Sequence, residues 1–395
     1  MIKDKYFLIS LAGFIVLQLS IYFTILFFYN TIPFEKQSYL YMSHHYVQDA
    51  RVNDGNFSFI RSLGVWDAQW YLRIADAGYP SKAVFDAHPD PRFMGALSYA
   101  FFPLYPLLLA IFNFIFHNIE LTAFFVSNVL LLANFVSMYY IVTKLFSQRI
   151  AQKTICLAFL YPFSIFYRSY FTESLFLLLL LWYGYFLIKQ KWFLSAIFGS
   201  LLFVTRPNGL FLIGVYIWKF VKAVLKEKTT LTKCIVYILL SLVPMVLWCF
   251  YCLQLTGNPF YWHKVQSVWF KSPSIGATFF ENIGHMMGFF NYPLHNSRDS
   301  QIDIAMVLIT LALLIFSKKY FKKYPQLWWI SFTIWITPLL VKDLMSYSRY
   351  QVVSYPLFIF LAAKVTGWKF YVLCGMFFAL LLFTAVYFVN WQWVG

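Results

Sequence analysis

Residues 66–80 read WDAQWYLRIADAGYP and lie inside the longest polar region of an otherwise apolar chain. The apolar residues of this stretch recur at spacings of three and four, which predicts a helix with one apolar face. That face consists of Leu63, Trp66, Trp70, Ile74 and Ala77. The Gly-Tyr-Pro sequence at 78–80 predicts the end of the helix. A short helix with a tryptophan-rich face is typical of the water–lipid interface, so we expect Trp66, Trp70 and Tyr71 to lie there.

Asp67 is the carboxylate of this stretch that we single out. It lies in the first turn of the predicted helix, where the helix dipole favours the ionised form. An ionised carboxylate at a membrane surface is what a general base for a lipid-borne hydroxyl needs. The alternative is that Asp67 only helps to start the helix. Asp76 lies nearly opposite on the helix, so one straight helix cannot direct both carboxylates at one substrate.

The composition predicts a polytopic membrane protein. The chain has 395 residues, of which 61% are hydrophobic, 23% aromatic and 12% charged, and its mean hydropathy is +0.66. No soluble domain of this length has such a composition, so we expect an all-α single transmembrane domain over residues 1–395. The net charge of +16 would suit a nucleic-acid-binding protein, but in a membrane protein basic residues indicate which side a loop occupies. We expect no nucleic-acid partner.

The cysteines and histidines do not indicate a metal site. All five cysteines lie in apolar runs, so we expect no disulfide and no zinc site. His44 and His45 are adjacent, and their side chains would diverge on a strand or stand about 100° apart on a helix. We interpret them as a polar loop pair and expect neither a metal nor a cofactor.

Hydropathy predicts roughly eleven spans. They cover about 6–29, 121–143, 154–167, a stretch ending at Lys189, 192–204, a stretch ending at Lys219, 234–255, 304–317, 326–341, 351–363 and 369–390. Lys3 and Lys5 precede the first span, which predicts a cytoplasmic amino end and a retained span rather than a signal peptide. Several spans are shorter than the ~20 residues of a full crossing. Residues 30–120 and 256–303 are the predicted extracytoplasmic loops.

Residues 101–116 either cross the membrane or dip into it. Pro103 and Pro106 precede a short apolar stretch, which suits a helix that enters the outer leaflet without crossing. A dip leaves the basic loop 144–153 inside, as the positive-inside rule favours, so we predict the dip. The resulting topology places the whole +16 excess on the cytoplasmic side and eight of the nine arginines outside.

Several polar motifs converge on the predicted outer face. They comprise Asp67, Arg168, Glu173, Arg206, Asn208 and Arg349, with Lys264 and Gln266 on a joining loop. A charge between apolar helices costs on the order of 3 kcal/mol, so several at one depth predict a polar cavity. Ordinary alternatives exist, because Arg168 can simply pair with Glu173 and Arg206 can cap a broken helix. Arg349 can extend to lipid headgroups.

Transfer of a sugar from a polyprenyl phosphate suits this set of residues. The departing phosphate gains charge, and arginine binds phosphate in a planar, bidentate way. A single displacement needs one base for the proton of the acceptor. The chain contains no cytosolic Rossmann-like domain for a nucleotide sugar, which favours a lipid donor.

Five motifs in this order resemble the PIG-V family, which includes GPI mannosyltransferase II and belongs to the GT-C membrane glycosyltransferases. They are WDAQWYLRIADAGY at 66–79, FFPLYPLL at 101–108, FTESLF at 171–176, TRPNGL at 205–210 and SRYQVVSYPLF at 348–358. The resemblance implies a GT-C fold with interfacial helices in the first outer loop and Asp67 as the catalytic acid/base. It also implies an inverting reaction, without a metal, from polyprenyl- or dolichyl-phosphate mannose to a GPI-like or other lipid acceptor. Glu173, Arg206, Asn208, Gln266 and Arg349 match motif positions, as donor-phosphate or substrate-binding residues.

Two other functions stay open at this point. The arginines and broken helices also suit a transporter or flippase for a lipid-linked or small anionic solute, although the two halves show no repeat. A non-catalytic assembly subunit is the third interpretation, and a small membrane partner subunit is compatible with the aromatic content. The membrane is either the bacterial cytoplasmic membrane or that of the endoplasmic reticulum, with the active site on the extracytoplasmic or lumenal face.

Overall fold

A computed structural model of the chain describes residues 4–42, 46–87, 95–227, 229–266, 275–294, 300–341 and 344–394. Throughout these ranges the regular structure is helical. The first helices are α1 (Lys5–Phe28), α2 (Lys36–Met42), α3 (Phe59–Ser62), α4 (Ala68–Ala77), α5 (Lys82–Asp86), α6 (Leu104–Phe116) and α7 (Ile119–Leu145). They are followed by α8 (Gln148–Leu160), α9 (Glu173–Ile188), α10 (Trp192–Phe203), α11 (Ile213–Val224), α12 (Leu231–Thr256), α13 (Tyr261–Gln266) and α14 (Ile275–Met287). The last are α15 (Gln301–Tyr320), α16 (Pro325–Val341), α17 (Tyr347–Tyr350), α18 (Tyr355–Lys364) and α19 (Trp368–Val389).

Short 3-10 turns link or extend these helices. They are Tyr29–Thr31, Ala50–Asn53, Ala96–Ala100, Pro162–Tyr167, Pro207–Leu212, Phe289–Asn291, Phe321–Lys323 and Gln351–Val353.

Within the described residues, five helical stretches are long and apolar enough to cross a membrane. They are Lys5–Thr31, Ile119–Leu145, Leu231–Thr256, Gln301–Lys323 and Trp368–Val389. A helix overlaps every other predicted span, but α8, α9, α10, α11, α16 and α18 are shorter. The 16 residues of α9 make a helix about 24 Å long, against a hydrocarbon core of about 30 Å. The helices fit a polytopic membrane protein, and the count of eleven crossings stays a prediction.

Residues 101–116, for which we predict a dip, form α6. Its 13 residues give a length of about 20 Å, which is too short for an upright crossing. The helix packs against α4 and α7. The helices α10 and α18, which are predicted to cross, are shorter still, so the dip of α6 stays a prediction.

Polar side chains fix where several long helices begin. The Asn118 side chain accepts a hydrogen bond from the backbone N–H of Leu121 at the start of α7 (3.0 Å). Ser300 does the same for Asp303 at the start of α15 (3.1 Å). Such bonds satisfy N–H groups that have no acceptor within the helix. The polar loops therefore define the ends of the apolar helices.

The predicted helix of the WDAQWY stretch forms, but it is shorter than the periodicity indicates. The helix begins only at Ala68, because Trp66 takes a left-handed backbone conformation (φ 57°). This conformation prevents the helix from extending back through residue 66. Gly78 (φ 73°) ends the helix as predicted. A left-handed residue that is not glycine is uncommon and requires support from its surroundings.

The tryptophan-rich face of α4 points into the protein. Trp66 and Trp70 are 6% and 7% exposed, and Tyr71 is 5% exposed. The Trp70 ring stacks on Phe101 with 5.6 Å between centroids. Aromatic partners from other segments cover these three side chains, and their location at the water–lipid interface stays a prediction. The depth of α4 in the membrane stays a prediction.

Helices α9 and α18 approach each other closely at one glycine. Gly184 of α9 lies so near Tyr355 of α18 that a Cβ atom there would overlap the phenol hydroxyl. Glycine is therefore required at this contact. The start of α9 lies near the Gln351–Val353 turn, which precedes α18. This packing brings the polar residues before each helix to one place.

Candidate active site

Asp67 lies immediately before α4 and does not cap it. Its backbone is in the right-handed helical region, and its side chain makes no capping hydrogen bond. The carboxylate instead accepts a hydrogen bond from Arg349, with 2.8 Å between Oδ2 and Nη1. The contact joins residues 282 positions apart in the sequence. The interpretation of Asp67 as no more than a helix-start residue therefore does not account for its side chain.

Glu173 connects the same arginine to a second one. It is the first residue of α9 and is fully buried. Its Oε1 atom accepts a hydrogen bond from Arg349 Nε and lies 3.0 Å from Arg206 Nη1. Asp67, Arg349, Glu173 and Arg206 thus form one continuous row of ion pairs, which we call the ion-pair network. Its two carboxylates and two guanidinium groups sum to zero charge.

Neighbouring charges keep Arg349 and Glu173 ionised against the effect of burial. Burial works against the charged form of Arg349, but Glu173 and then Asp67 outweigh it and raise the pKa of the guanidinium. Glu173 has two cationic partners, which favour its carboxylate form. The second carboxylate oxygen of Glu173 is buried and has no hydrogen-bond partner in the described part of the chain. That oxygen can therefore still accept a hydrogen bond.

Aromatic rings surround the two guanidinium groups. The Arg349 Cζ atom lies 4.5 Å from the centroid of Phe171 and 4.9 Å from that of Phe166. Arg206 Cζ lies 4.9 Å from the centroid of Tyr350. Such faces hold a cation by its attraction to the ring quadrupole and exclude water from it. The arginines are consequently fixed in place as well as charged.

The two carboxylates of the network differ in their access to the surroundings. The Asp67 side chain is 34% exposed, whereas that of Glu173 is 0% exposed. Tyr71, one turn further along α4, is buried beside these charges, and burial raises the pKa of its phenol. It therefore stays protonated and does not act as a base near neutral pH. Of these groups, Asp67 is the one that can reach a substrate and take a proton.

Asn208 lies beside Arg206 in a small cleft. Its space is about 310 Å³ when the open mouth is included, but the volume open to a water-sized molecule is only about 10 Å³, roughly what one water needs. Phe176, Thr333 and Tyr350 contribute to its wall. The Arg206 guanidinium thus has Glu173 on one side and this cleft on the other. A ligand oxygen in the cleft would meet both a cation and an amide.

Asp303 supports the network from behind and is not among the residues predicted from the sequence. One of its oxygens accepts hydrogen bonds from both the backbone N–H and the hydroxyl of Ser348, each 2.8 Å long. Ser348 precedes Arg349 directly, and the turn begins with Ser346 in a left-handed conformation (φ 69°). Asp303 therefore fixes the backbone that carries Arg349. The Ser-x-x-Asp pattern at 300–303 marks only a helix start.

Arg168 lies apart from the ion-pair network. It is fully buried, and its guanidinium donates to Gln18 of α1 (2.7 Å) and to the carbonyl and hydroxyl of Ser164 (2.7 and 3.0 Å). No contact with Glu173 occurs in the described part of the chain, so these two residues do not pair as considered above. Arg168 joins α1 to the Pro162–Tyr167 turn. Since internal acceptors occupy its donors, its placement does not support a phosphate-binding role.

Lys264 and Gln266 lie on α13, which packs against the Ala96–Ala100 turn. The Gln266 amide donates to the carbonyl oxygen of Ala100 (3.0 Å). Lys264 is exposed, with its ammonium 5.9 Å from the ring centroid of Tyr261. These two residues therefore lie beside the Ala96–Ala100 turn and are not members of the ion-pair network. The histidine pair at 44–45 lies outside the described residues.

A comparison with known families decides the classification. The family model described as Mannosyltransferase (PIG-V) matches residues 8–266, well over half of the chain. The chain belongs to the PIG-V mannosyltransferase family. No curated protein and no solved structure matches it. Family membership supports a membrane-embedded mannosyltransferase, with a sugar donor and a lipid acceptor.

The PIG-V match includes three members of the ion-pair network and ends before the fourth. Asp67, Glu173 and Arg206 lie within residues 8–266, whereas Arg349 lies beyond them. The structure of this PIG-V protein thus joins the matched part of the chain to the unmatched part at the Asp67–Arg349 contact. The sequence feature that indicates Arg349 is its charge between two apolar stretches.

Proposed function

We propose that this protein is an inverting mannosyltransferase that uses polyprenyl-phosphate mannose as donor and a lipid-linked hydroxyl as acceptor. Asp67 is the catalytic base in this proposal. One observation carries it: Asp67 is the partly exposed carboxylate of a network whose other carboxylate is fully buried. The network also supplies two arginines beside that base.

The reaction is a single displacement at the anomeric carbon of the donor. The acceptor hydroxyl oxygen forms a bond to this carbon while the bond from the carbon to the phosphate oxygen breaks. Asp67 takes the hydroxyl proton, and the polyprenyl phosphate leaves as a monoester with one more negative charge. One base suffices, and attack from the face opposite the leaving group inverts the configuration.

The charges of the network change in step with those of the leaving group. Before transfer, Asp67, Glu173, Arg206 and Arg349 sum to zero. When Asp67 takes the proton, the network gains one unit of positive charge as the phosphate gains its negative charge. Fixed cations that meet charge developing in the transition state are an effective means of catalysis. Arg349 thus links proton uptake to departure of the phosphate.

Arg206 and Asn208 are the residues that we assign to the donor phosphate. Arg206 faces the cleft with donors beyond the one that pairs with Glu173. A guanidinium offers five N–H donors in a planar fork, which suits phosphate oxygens. Glu173 positions both arginines and does not itself meet the sugar. Lys264 and Gln266 are candidates for contacts with the remainder of the substrates.

The reaction takes place on the extracytoplasmic or lumenal face. The lysine-rich loops on the opposite side support this orientation, since positive charge favours the cytoplasm. The membrane itself delivers both substrates, and Asp67 lies among segments at the ends of apolar helices. The acceptor is a GPI-like or another glycolipid.

The decisive experiment compares Asp67, which precedes α4, with Asp76 near the end of that helix. Purified protein in lipid nanodiscs is incubated with labelled polyprenyl-phosphate mannose and total membrane lipids, and the labelled product is identified. Asp67→Asn should reduce transfer by about a hundredfold or more. Asp76→Asn is the matched control, because Asp76 is exposed and pairs with Tyr46 away from the network. It should retain activity.

Two results would contradict the proposal. The first is full transfer by Asp67→Asn, which would remove the base. The second is solute flux in proteoliposomes without transfer to any lipid, which would favour the transporter.

A further inference from the structure

The residues after α19 turn back into the protein. Trp391 takes a left-handed conformation (φ 60°), and its N–H bonds to the carbonyl of Phe388 (3.1 Å). The N–H of Gln392 bonds to the carbonyl of Tyr387 (3.2 Å). We call residues 390–394 the C-terminal segment. It lies outside the family match, which ends at residue 266.

Asn390 anchors this segment to the first predicted outer loop. Its side-chain oxygen accepts from Arg51 Nη1 (2.6 Å), and its amide nitrogen donates to the carbonyl of Tyr29 (2.6 Å). Its backbone carbonyl accepts from the N–H of Glu35 (2.9 Å). Arg51 is fixed in turn by Asp49, with 2.7 Å between Nη2 and Oδ2. Such a set of contacts exceeds what ending a helix requires.

The anchored segment places two indole rings against the residue before Asp67. The Trp66 ring lies 5.5 Å from that of Trp391 and 5.0 Å from that of Trp393, centroid to centroid. All three side chains are buried. Trp66 is the left-handed residue that precedes Asp67, and its carbonyl accepts from the N–H of Gln69 (3.1 Å). The indole packing therefore holds the backbone conformation from which α4 starts.

The same segment also touches the partner of Asp67. The Arg349 Cζ atom lies 5.9 Å from the ring centroid of Trp393. Trp393 thus contacts the residue next to Asp67 on one side and the Arg349 guanidinium on the other. It is the member of the C-terminal segment that spans both halves of the Asp67–Arg349 pair.

We propose that Trp391 and Trp393 are positioning residues, which hold Trp66 in its left-handed conformation and so keep Asp67 against Arg349. This inference rests on the proposed function for its catalytic consequence, whereas its structural part is independent of any activity. Without the two rings, Trp66 would return to a commoner conformation, and the Asp67 carboxylate would leave Arg349.

The experiment measures hydrogen exchange at the start of α4 and the kinetics of mannosyl transfer. Hydrogen exchange at the start of α4 is measured for wild type and Trp393→Ala in nanodiscs. The Gln69 amide should exchange at least tenfold faster in the variant, because its acceptor is the carbonyl of Trp66. Trp368→Ala, at the exposed other end of α19, is the matched control and should leave this exchange unchanged.

Transfer kinetics then distinguish positioning from substrate binding. Trp393→Ala should lower kcat at least tenfold, with the KM for the donor changed less than threefold, and Trp393→Phe should recover most of kcat. If the Ala variant does not fold, Trp393→Leu, which keeps apolar volume, replaces it. Unchanged exchange at Gln69 would overturn the proposal, as would an unchanged kcat. Faster exchange in Trp393→Ala, together with a wild-type protein that shows no transfer, would support the structural part and count against the proposed function instead.

Discussion

Arg349 donates through Nη1 to Asp67 and through Nε to Glu173, so one guanidinium joins a partly exposed carboxylate to a fully buried one. The two acceptors lie on different edges of the same planar group. Asp67 therefore shares with Glu173 the guanidinium group that both carboxylates hold. The planar, forked shape of the guanidinium group allows both contacts. Each member of the ion-pair network can be replaced and tested separately.

Replacing Arg349 by lysine should reduce kcat for mannosyl transfer by about a hundredfold. A lysine ammonium is a point charge and cannot bond Asp67 and Glu173 in two fixed directions. The loss of one preoriented donor in an active site typically costs 10²–10³ in kcat. The measurement is kcat and KM for the labelled donor. The control is Arg61→Lys, since Arg61 forms a more exposed ion pair with Glu120. Near wild-type kcat in Arg349→Lys would show that the fork is dispensable.

Replacing Glu173 by glutamine should destabilise the fold. The change leaves Arg206 and Arg349 buried without their shared anion, and breaking a buried ion pair costs about 3 kcal/mol or more. Glu120→Gln, at the partly exposed pair with Arg61, should cost about 1 kcal/mol or less. Both free energies of unfolding can be measured in one detergent. Equal losses in the two variants would mean that burial of Glu173 adds nothing to its ion pairs.

The membership of the network is predictable to a large extent, but its pairing is not. Arg206 and Arg349 each interrupt apolar sequence with a charge, Asp67 lies in the long polar region, and the distribution of lysines predicts one face for all three. Sequence proximity favours Arg168 as the partner of Glu173. The Pro162–Tyr167 turn instead directs Arg168 towards Gln18, which leaves Glu173 to the two distant arginines. Long-range packing decides between equally charged candidates.

The tryptophans show where local periodicity fails. Spacing alone places Trp66 and Trp70 on one face of a helix, and that face suits lipid as well as protein. The structure covers Trp66 with Trp391 and Trp393, from more than 300 positions further along the chain. These contacts support a left-handed residue at 66, and the helix starts later. No local rule contains the information that the end of the chain returns to this point.

Removing the Asp303 carboxylate should impair catalysis without abolishing the fold. Asp303→Ala removes the acceptor for both hydrogen bonds of Ser348, so the turn that carries Arg349 loses its support. We expect kcat to fall about tenfold, and Asp303→Asn, which keeps one carbonyl oxygen, should fall less. Activity and thermal unfolding are measured on the same samples. If Asp303→Asn and Asp303→Ala lose equal activity, the charge of Asp303 matters rather than its hydrogen bonds.

The side of the membrane on which Asp67 lies can be tested by introducing one additional cysteine at a time. Lys82 begins α5, shortly after α4, and Lys323 ends the turn after α15; both are exposed. In the predicted topology the first faces outside and the second faces the cytoplasm, because the lysine-rich loops stay inside. A membrane-impermeant maleimide applied to intact cells should label Lys82→Cys. It should label Lys323→Cys only after the membrane is permeabilised. The wild-type protein, with its five native cysteines, provides the background. The opposite labelling pattern would put Asp67 on the lysine side, where a donor presented at the outer face could not reach it.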